Sequence, residues 1–110
     1  MTNPPELTFF LVAGEASGDI HGARLIRSLK KHNPRTRFIG HGGNNMKSEG
    51  MEVIESVESL AIMGFLEVIK HLPYMLRVMG KTVKTIKQLK PDRVILIDYP
   101  GFNLRLAKRL

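Results

Sequence analysis

Asp98 follows four aliphatic residues, Val94-Ile95-Leu96-Ile97, and precedes Tyr99-Pro100-Gly101-Phe102-Asn103. A carboxylate at the end of a buried strand is partly desolvated, which raises its pKa and makes it a better proton acceptor near neutral pH. That chemistry suits a general base. The same pattern also fits an aspartate that caps a turn through its own backbone, with Asn103 capping the helix that follows. A second group of polar residues, Gly14-Glu15-Ala16-Ser17-Gly18-Asp19, closes another apolar run. Its two glycines permit close backbone approach, Ser17 is a natural helix cap, and exposed amides there could hold a phosphate or a sugar hydroxyl. The segment lacks the Gly-Lys-Ser/Thr ending of a Walker loop, and it is not the G-x-G-x-x-G dinucleotide fingerprint. Glu15 and Asp19 add negative charge, which argues against a simple phosphate cradle and for hydroxyl recognition or acid-base work. The competing reading is a strand-to-helix turn with an N-cap and a first-turn acid that stabilises the helix dipole.

A third segment, from Leu60 to Leu72, is too apolar for an ordinary exposed loop. With Lys70, His71, Arg77, Lys81, Lys84 and Lys87 around it, it could set Met63, Phe65, Leu66 and Ile69 into lipid or against acyl chains while the bases meet phosphates. A buried helix with a solvated lysine face would read the same way. His21, His32, His41 and His71 show no H-E-x-x-H or comparable ligand spacing, so no catalytic metal is expected. The basic residues are dispersed and the few aromatics do not interleave with them, which argues against nucleic-acid binding.

These residues need elements to position them. Leu7 to Ala13 is a continuous apolar run ending in glycine, as a strand buried on both faces requires. Leu25, Ile26 and Leu29 recur at helical spacing within Ile20 to Lys31, and Asn33-Pro34 stops that helix. Arg37 to Gly40 reads as a second strand, and a short helix follows before Gly50. Met51 to Ile54 reads as a third strand. Pro73 opens a long amphipathic helix carrying Leu76, Met79, Val83 and Ile86. Val94 to Ile97 is the clearest strand, and a last helix begins near Asn103. Strands alternating with helices of ten or more residues predict an α/β fold, a Rossmann-like open parallel sheet. The pattern is still helical where it stops at Leu110, so the 110 residues read as a truncated piece, with an unpaired sheet edge and marginal stability in isolation.

Bulk properties add limits. The chain is 43% apolar and 6% aromatic, ordinary for a globular fold. It has no cysteine, which removes disulfides and thiolate metal sites. The formal charge of +7 and pI near 10.1 favour an anionic partner. The N-terminus has no basic n-region, and its apolar run falls far short of the ~20 residues that span a bilayer. A cytoplasmic chain is the expectation.

Three ordered segments resemble lipid-A-disaccharide synthases: LVAGEASGD at Leu11 to Asp19, MGFLEV at Met63 to Val68, and IDYPGFN at Ile97 to Asn103. Between the first two, GHGGNNMKSEGM resembles the family's G-x-G-G-x-x-M-x-x-x-G-M stretch. Tyr99 and Gly101 depart from the residues the family often carries in its I-D-x-P-x-F-N segment. The resemblance implies the N-terminal, acceptor-side domain of a two-domain GT-B glycosyltransferase, whose C-terminal donor-binding domain is not in this sequence. It implies transfer of 2,3-diacylglucosamine from UDP-2,3-diacylglucosamine to the 6-hydroxyl of 2,3-diacylglucosamine 1-phosphate, with inversion and without metal or cofactor. Asp98 would be the base, Glu15, Ser17 and Asp19 would position the acceptor or bridge to the donor, and Asn103 would support them. Met63, Phe65, Leu66 and Ile69 would meet acyl chains or the cytoplasmic face of the inner membrane, with the protein peripherally attached. Another GT-B UDP-sugar enzyme, or a non-catalytic Rossmann-like binding module of the flavodoxin or response-regulator kind, would use the same crevice.

Overall fold

A computed structural model of the chain describes residues 7–56, 72–97 and 100–110. The elements run β1 (Leu7–Ala13), α1 (Ala16–His32), β2 (Thr36–Gly42), α2 (Asn44–Ser48), β3 (Glu52–Ser56), α3 (Leu72–Leu89), β4 (Arg93–Ile97) and α4 (Pro100–Arg109). The four strands form one parallel sheet in the order β3-β2-β1-β4. This is the Rossmann-like α/β layer that the alternation of strand and helix patterns calls for.

β1 is central, and its side chains alternate between two cores. Phe10 and Val12 join Val78, Met79 and Ile86 of α3 and Leu106 of α4. Leu11 and Ala13 join Ala23 and Ile26 of α1 and Met46 of α2 on the opposite face. β4 alternates in step, Val94 and Leu96 facing the first core, Ile95 and Ile97 the second. A strand covered on both faces has no polar side, which is why Leu7–Ala13 is apolar at every position but Thr8. Burying each large aliphatic or aromatic side chain contributes about 1.5–3 kcal/mol.

The backbones of β1 and β2 come together at Gly40. A Cβ there would lie 1.9 Å from the Leu11 carbonyl oxygen, and the residue has φ +151. Just beyond it the pairing of β2 with β3 shifts register between Gly40 and His41.

Two helix starts differ from the sequence expectation. α1 begins at Ala16 rather than Ile20, so the turn after β1 is only Gly14–Glu15. Glu15 is the N-cap residue, with no side-chain cap hydrogen bond, and Ser17 lies inside the helix instead of capping it. Gly18, which suggests a turn, is a packing residue, as is Gly22 one turn further along. A Cβ on Gly18 would stand 3.3 Å from the Ala13 Cβ, and one on Gly22 would stand 2.6 Å from the Met46 Sδ and 3.2 Å from the Ile97 Cδ1. Their bare backbone lets α1 lie close on the ends of β1 and β4. Likewise α4 begins at Pro100, which has no N–H to lose in a first turn, so Asn103 is an internal helical residue and not a cap. α3 spans Leu72–Leu89 with Pro73 in its first turn, as expected. Among the described residues no helix is long and apolar enough to cross a membrane.

Candidate functional site

The chain leaves β1 toward β2 and β3 on one side, then returns to place β4 on the other. In open parallel sheets such a reversal opens a crevice beyond the C-terminal strand ends, where loop amides converge. Ala13 and Ile97, the last residues of β1 and β4, are register partners. Gly14 and Glu15 follow directly after β1. Asp98 follows Ile97 in the sequence and lies outside the described residues, as do Met63, Phe65, Leu66 and Ile69.

The four other candidates divide into two pairs. Glu15 and Ser17 are exposed, at the cap and in the first turn of α1. Asp19 and Asn103 are each only 4% exposed. Asn103 approaches β1 from α4 on the opposite face, and its Nδ2 stands 3.5 Å from the Val12 carbonyl oxygen, at the outer limit of a hydrogen bond. It thus joins α4 to the end of the central strand.

Asp19 points away from the β1 turn and into the segment after β2. Its Oδ1 accepts the backbone N–H groups of Gly43 at 2.8 Å and Met46 at 2.9 Å. Its Oδ2 accepts the backbone N–H of Asn45 at 3.1 Å and the Asn45 side-chain amide at 3.0 Å. A carboxylate offers about four acceptor positions, and these four donors fill them. Burial pushes the Asp19 carboxyl upward, but the amides of Met46, Gly43 and Asn45 and the Asn45 side chain together outweigh it, and its pKa lies below the ordinary value of 3.8. Asp19 therefore acts on the strand ends through the 43–46 segment, which it holds against α1.

That segment forms one wall of an open hollow of about 410 Å³ at the tips of β2 and β3. Gly42, Gly43, Asn44 and Lys47 line one side, and Val53 to Ser56 line the other. The GHGGNNMKSEGM stretch supplies one wall, but no sequence signal marks the hollow itself, because its walls are brought together only by the pairing of β2 with β3.

A buried histidine is a further feature that spacing alone does not reveal. His41, 1% exposed, places Nε2 3.0 Å from the Thr82 hydroxyl of α3. Thr82 donates its proton to the Val78 carbonyl at 2.6 Å, so its oxygen is left to accept from the His41 Nε2–H. Desolvation, reinforced by the charge of Lys81, pushes His41 down from 6.5 to about 4, and the ring is neutral at physiological pH. On α3 the basic residues Arg77, Lys81, Lys84 and Lys87 are exposed, opposite buried Val78, Met79, Thr82 and Ile86. Among the described residues no three His, Asp or Glu side chains are grouped as a metal ion would require.

The family model described as lipid-A-disaccharide synthetase matches residues 9–110 of the chain. The lipid-A-disaccharide synthase of Haemophilus influenzae strain Rd is 50% identical over 109 residues, covering 99% of this chain and 27% of that protein. That of Neisseria meningitidis serogroup A is 50% identical over 97 residues, covering 88% and 25%. That of Pasteurella multocida is 49% identical over 107 residues, covering 97% and 27%. The chain thus spans about a quarter of the length of these curated relatives.

Proposed function

The chain belongs to the lipid-A-disaccharide synthetase family, and we propose on that basis that it forms the acceptor-side part of a GT-B glycosyltransferase. The reaction is transfer of 2,3-diacylglucosamine from UDP-2,3-diacylglucosamine to the 6-hydroxyl of 2,3-diacylglucosamine 1-phosphate, giving the lipid A disaccharide 1-phosphate and UDP. The observation that carries this reading is the pairing of Ala13 with Ile97 at the point where the strand order reverses. It sets the segment beginning at Gly14 beside the strand that leads into Asp98, two of the three motifs that resemble the family.

Inversion requires attack on an oxocarbenium-like anomeric carbon from the face opposite departing UDP, while a base removes the acceptor hydroxyl proton. Asp98 takes that proton in this reading. Glu15 and Ser17, exposed at the start of α1, orient the acceptor hydroxyls. Asp19 contributes by fixing the 43–46 segment, and Asn103 by fixing α4 against β1. Holding the two sugars in attacking geometry is itself worth several kcal/mol, about 7 to 11 at best. The donor nucleotide is held by the remainder of a full-length protein, in a second domain. Met63, Phe65, Leu66 and Ile69 meet acyl chains at the cytoplasmic face of the inner membrane, where the exposed lysines of α3 face anionic head groups.

The test is a graft of this chain in place of the matching 109 residues of the Haemophilus influenzae relative. UDP release that requires both the acylated donor and the acylated acceptor 1-phosphate supports the assignment. A soluble graft that transfers to neither this acceptor nor its relatives removes it.

A further inference from the structure

We propose that the hollow at the tips of β2 and β3 receives the hexosamine 1-phosphate head of the acceptor, with Lys47 set against the phosphate. The inference rests on the transferase reading above and adds to it a place for the acceptor. The hollow opens at the same C-terminal end of the sheet as the β1–β4 crevice. Its volume of about 410 Å³ falls in the range of about 300–1,000 Å³ typical of ligand sites, enough for a sugar phosphate head but not for a whole diacylated sugar.

The wall chemistry fits a phosphorylated sugar better than a nucleotide or a free anion. Asn44, Glu55 and Ser56 bring a carboxamide, a carboxylate and a hydroxyl to one space, the donors and acceptors that sugar hydroxyls use. Among the described residues no aromatic ring lines it for a base to stack on, and Glu55 opposes an anion that brings no hydroxyls of its own. Lys47 is, among the described residues, the single cation in the lining, suited to a phosphate as a point charge. Val53, on the same face of the sheet as α2, adds an aliphatic contact for the C–H face of the ring. The wall is also preformed, since the amides of Gly43, Asn45 and Met46 are already bonded to the buried Asp19 carboxylate. A site held in place before binding loses little free energy to ordering. In this arrangement Lys47 reads the group that distinguishes the acceptor from an unphosphorylated hexosamine.

Binding of glucosamine 1-phosphate to the full-length graft, followed by ligand-observed NMR, tests this without requiring turnover. Lys47→Gln is expected to weaken that binding about tenfold, the effect of losing one charge-assisted hydrogen bond, and Lys47→Arg to restore most of it. N-acetylglucosamine should bind weakly and equally to the parent and Lys47→Gln. Equal glucosamine 1-phosphate binding by parent and Lys47→Gln overturns the proposal even in an active transferase, as does no binding by the parent. Inorganic phosphate binding as tightly as the sugar phosphate also overturns it, in favour of a simple anion site. Lys47-dependent binding in a folded graft that transfers no sugar keeps the hollow and defeats the transferase reading instead.

Discussion

The Asp19 carboxylate lies 2.8 Å from the amide nitrogen of Gly43, a residue 24 positions further along the chain. This bond and its three companions make the first turn of α1 and the segment opening α2 one unit. Asp19→Ala would leave the buried amides of Gly43 and Met46 without that acceptor, at about 1–3 kcal/mol for each group left unpaired. We expect a loss of about 2–4 kcal/mol in urea unfolding. Asp19→Asn should lose less, since it keeps one acceptor oxygen. Because the folded carboxyl lies below its ordinary value of 3.8, the stability it contributes is present above that pH and is lost as pH falls through the lower folded value. Unchanged urea midpoints in Asp19→Ala would show that the four bonds contribute nothing net.

His41 gives acid sensitivity at higher pH. Its folded pKa is depressed from 6.5 to about 4, so the unfolded chain binds the extra proton first. Stability should therefore fall as pH drops from 6.5 toward 4, by about 3 kcal/mol when the difference is fully developed. His41→Val removes the titrating ring, and the Thr82 hydroxyl still donates to Val78. The gap in stability between parent and His41→Val, compared at pH 7 and pH 4.5, should shift by most of that amount, about 2 kcal/mol, in favour of the variant at the lower pH. A gap independent of pH would place the acid sensitivity elsewhere.

Two glycines predict opposite responses to alanine. At Gly40 a Cβ would collide with the Leu11 carbonyl oxygen between two paired strands, so Gly40→Ala should cost more than about 3 kcal/mol and leave no cooperative melt. At Gly80, in the middle of α3, a Cβ meets nothing within 4 Å among the described residues. Gly80→Ala should raise stability by about 0.5–1 kcal/mol through helix propensity and a less flexible unfolded chain. Thermal melts followed by circular dichroism read both, and equal shifts of one sign would contradict the packing described here.

For Asp98, Asp98→Asn in the full-length graft should lower kcat about 10²–10⁴-fold while binding of both sugars persists, as removal of a general base requires. Near-normal turnover would remove Asp98 from the mechanism.

The sheet is legible in the sequence where a strand has a core on each face. Phe9–Ala13 and Val94–Ile97 are apolar because both faces of each strand carry a core, and Thr8 is the one polar residue in β1. The start of α1 is harder to read, because Gly18 and Gly22 serve close helix-sheet packing while glycines in a polar stretch resemble a turn. Ser17 looks like a cap for the same reason. The interactions of Asp19 with residues 43–46 and of His41 with Thr82 are set by tertiary placement, 24 to 41 positions apart, and no local pattern encodes them. Of the candidate site, the turn at Gly14–Glu15 is legible as a strand-end feature, whereas the hollow beside Lys47 exists only once β2 and β3 are paired.

The alternation of β1 between its two cores also limits how this segment can change. A single inserted or deleted residue within Leu7–Ala13 would turn Phe10 and Val12 toward α1, and Leu11 toward α3, exchanging the contents of both cores at once. The same slip would move Leu11 out from under Gly40, where alone the two backbones can approach so closely. Substitutions matched in volume can accumulate along β1, but its length is closed to insertions and deletions, so this stretch should vary in letters and never in number.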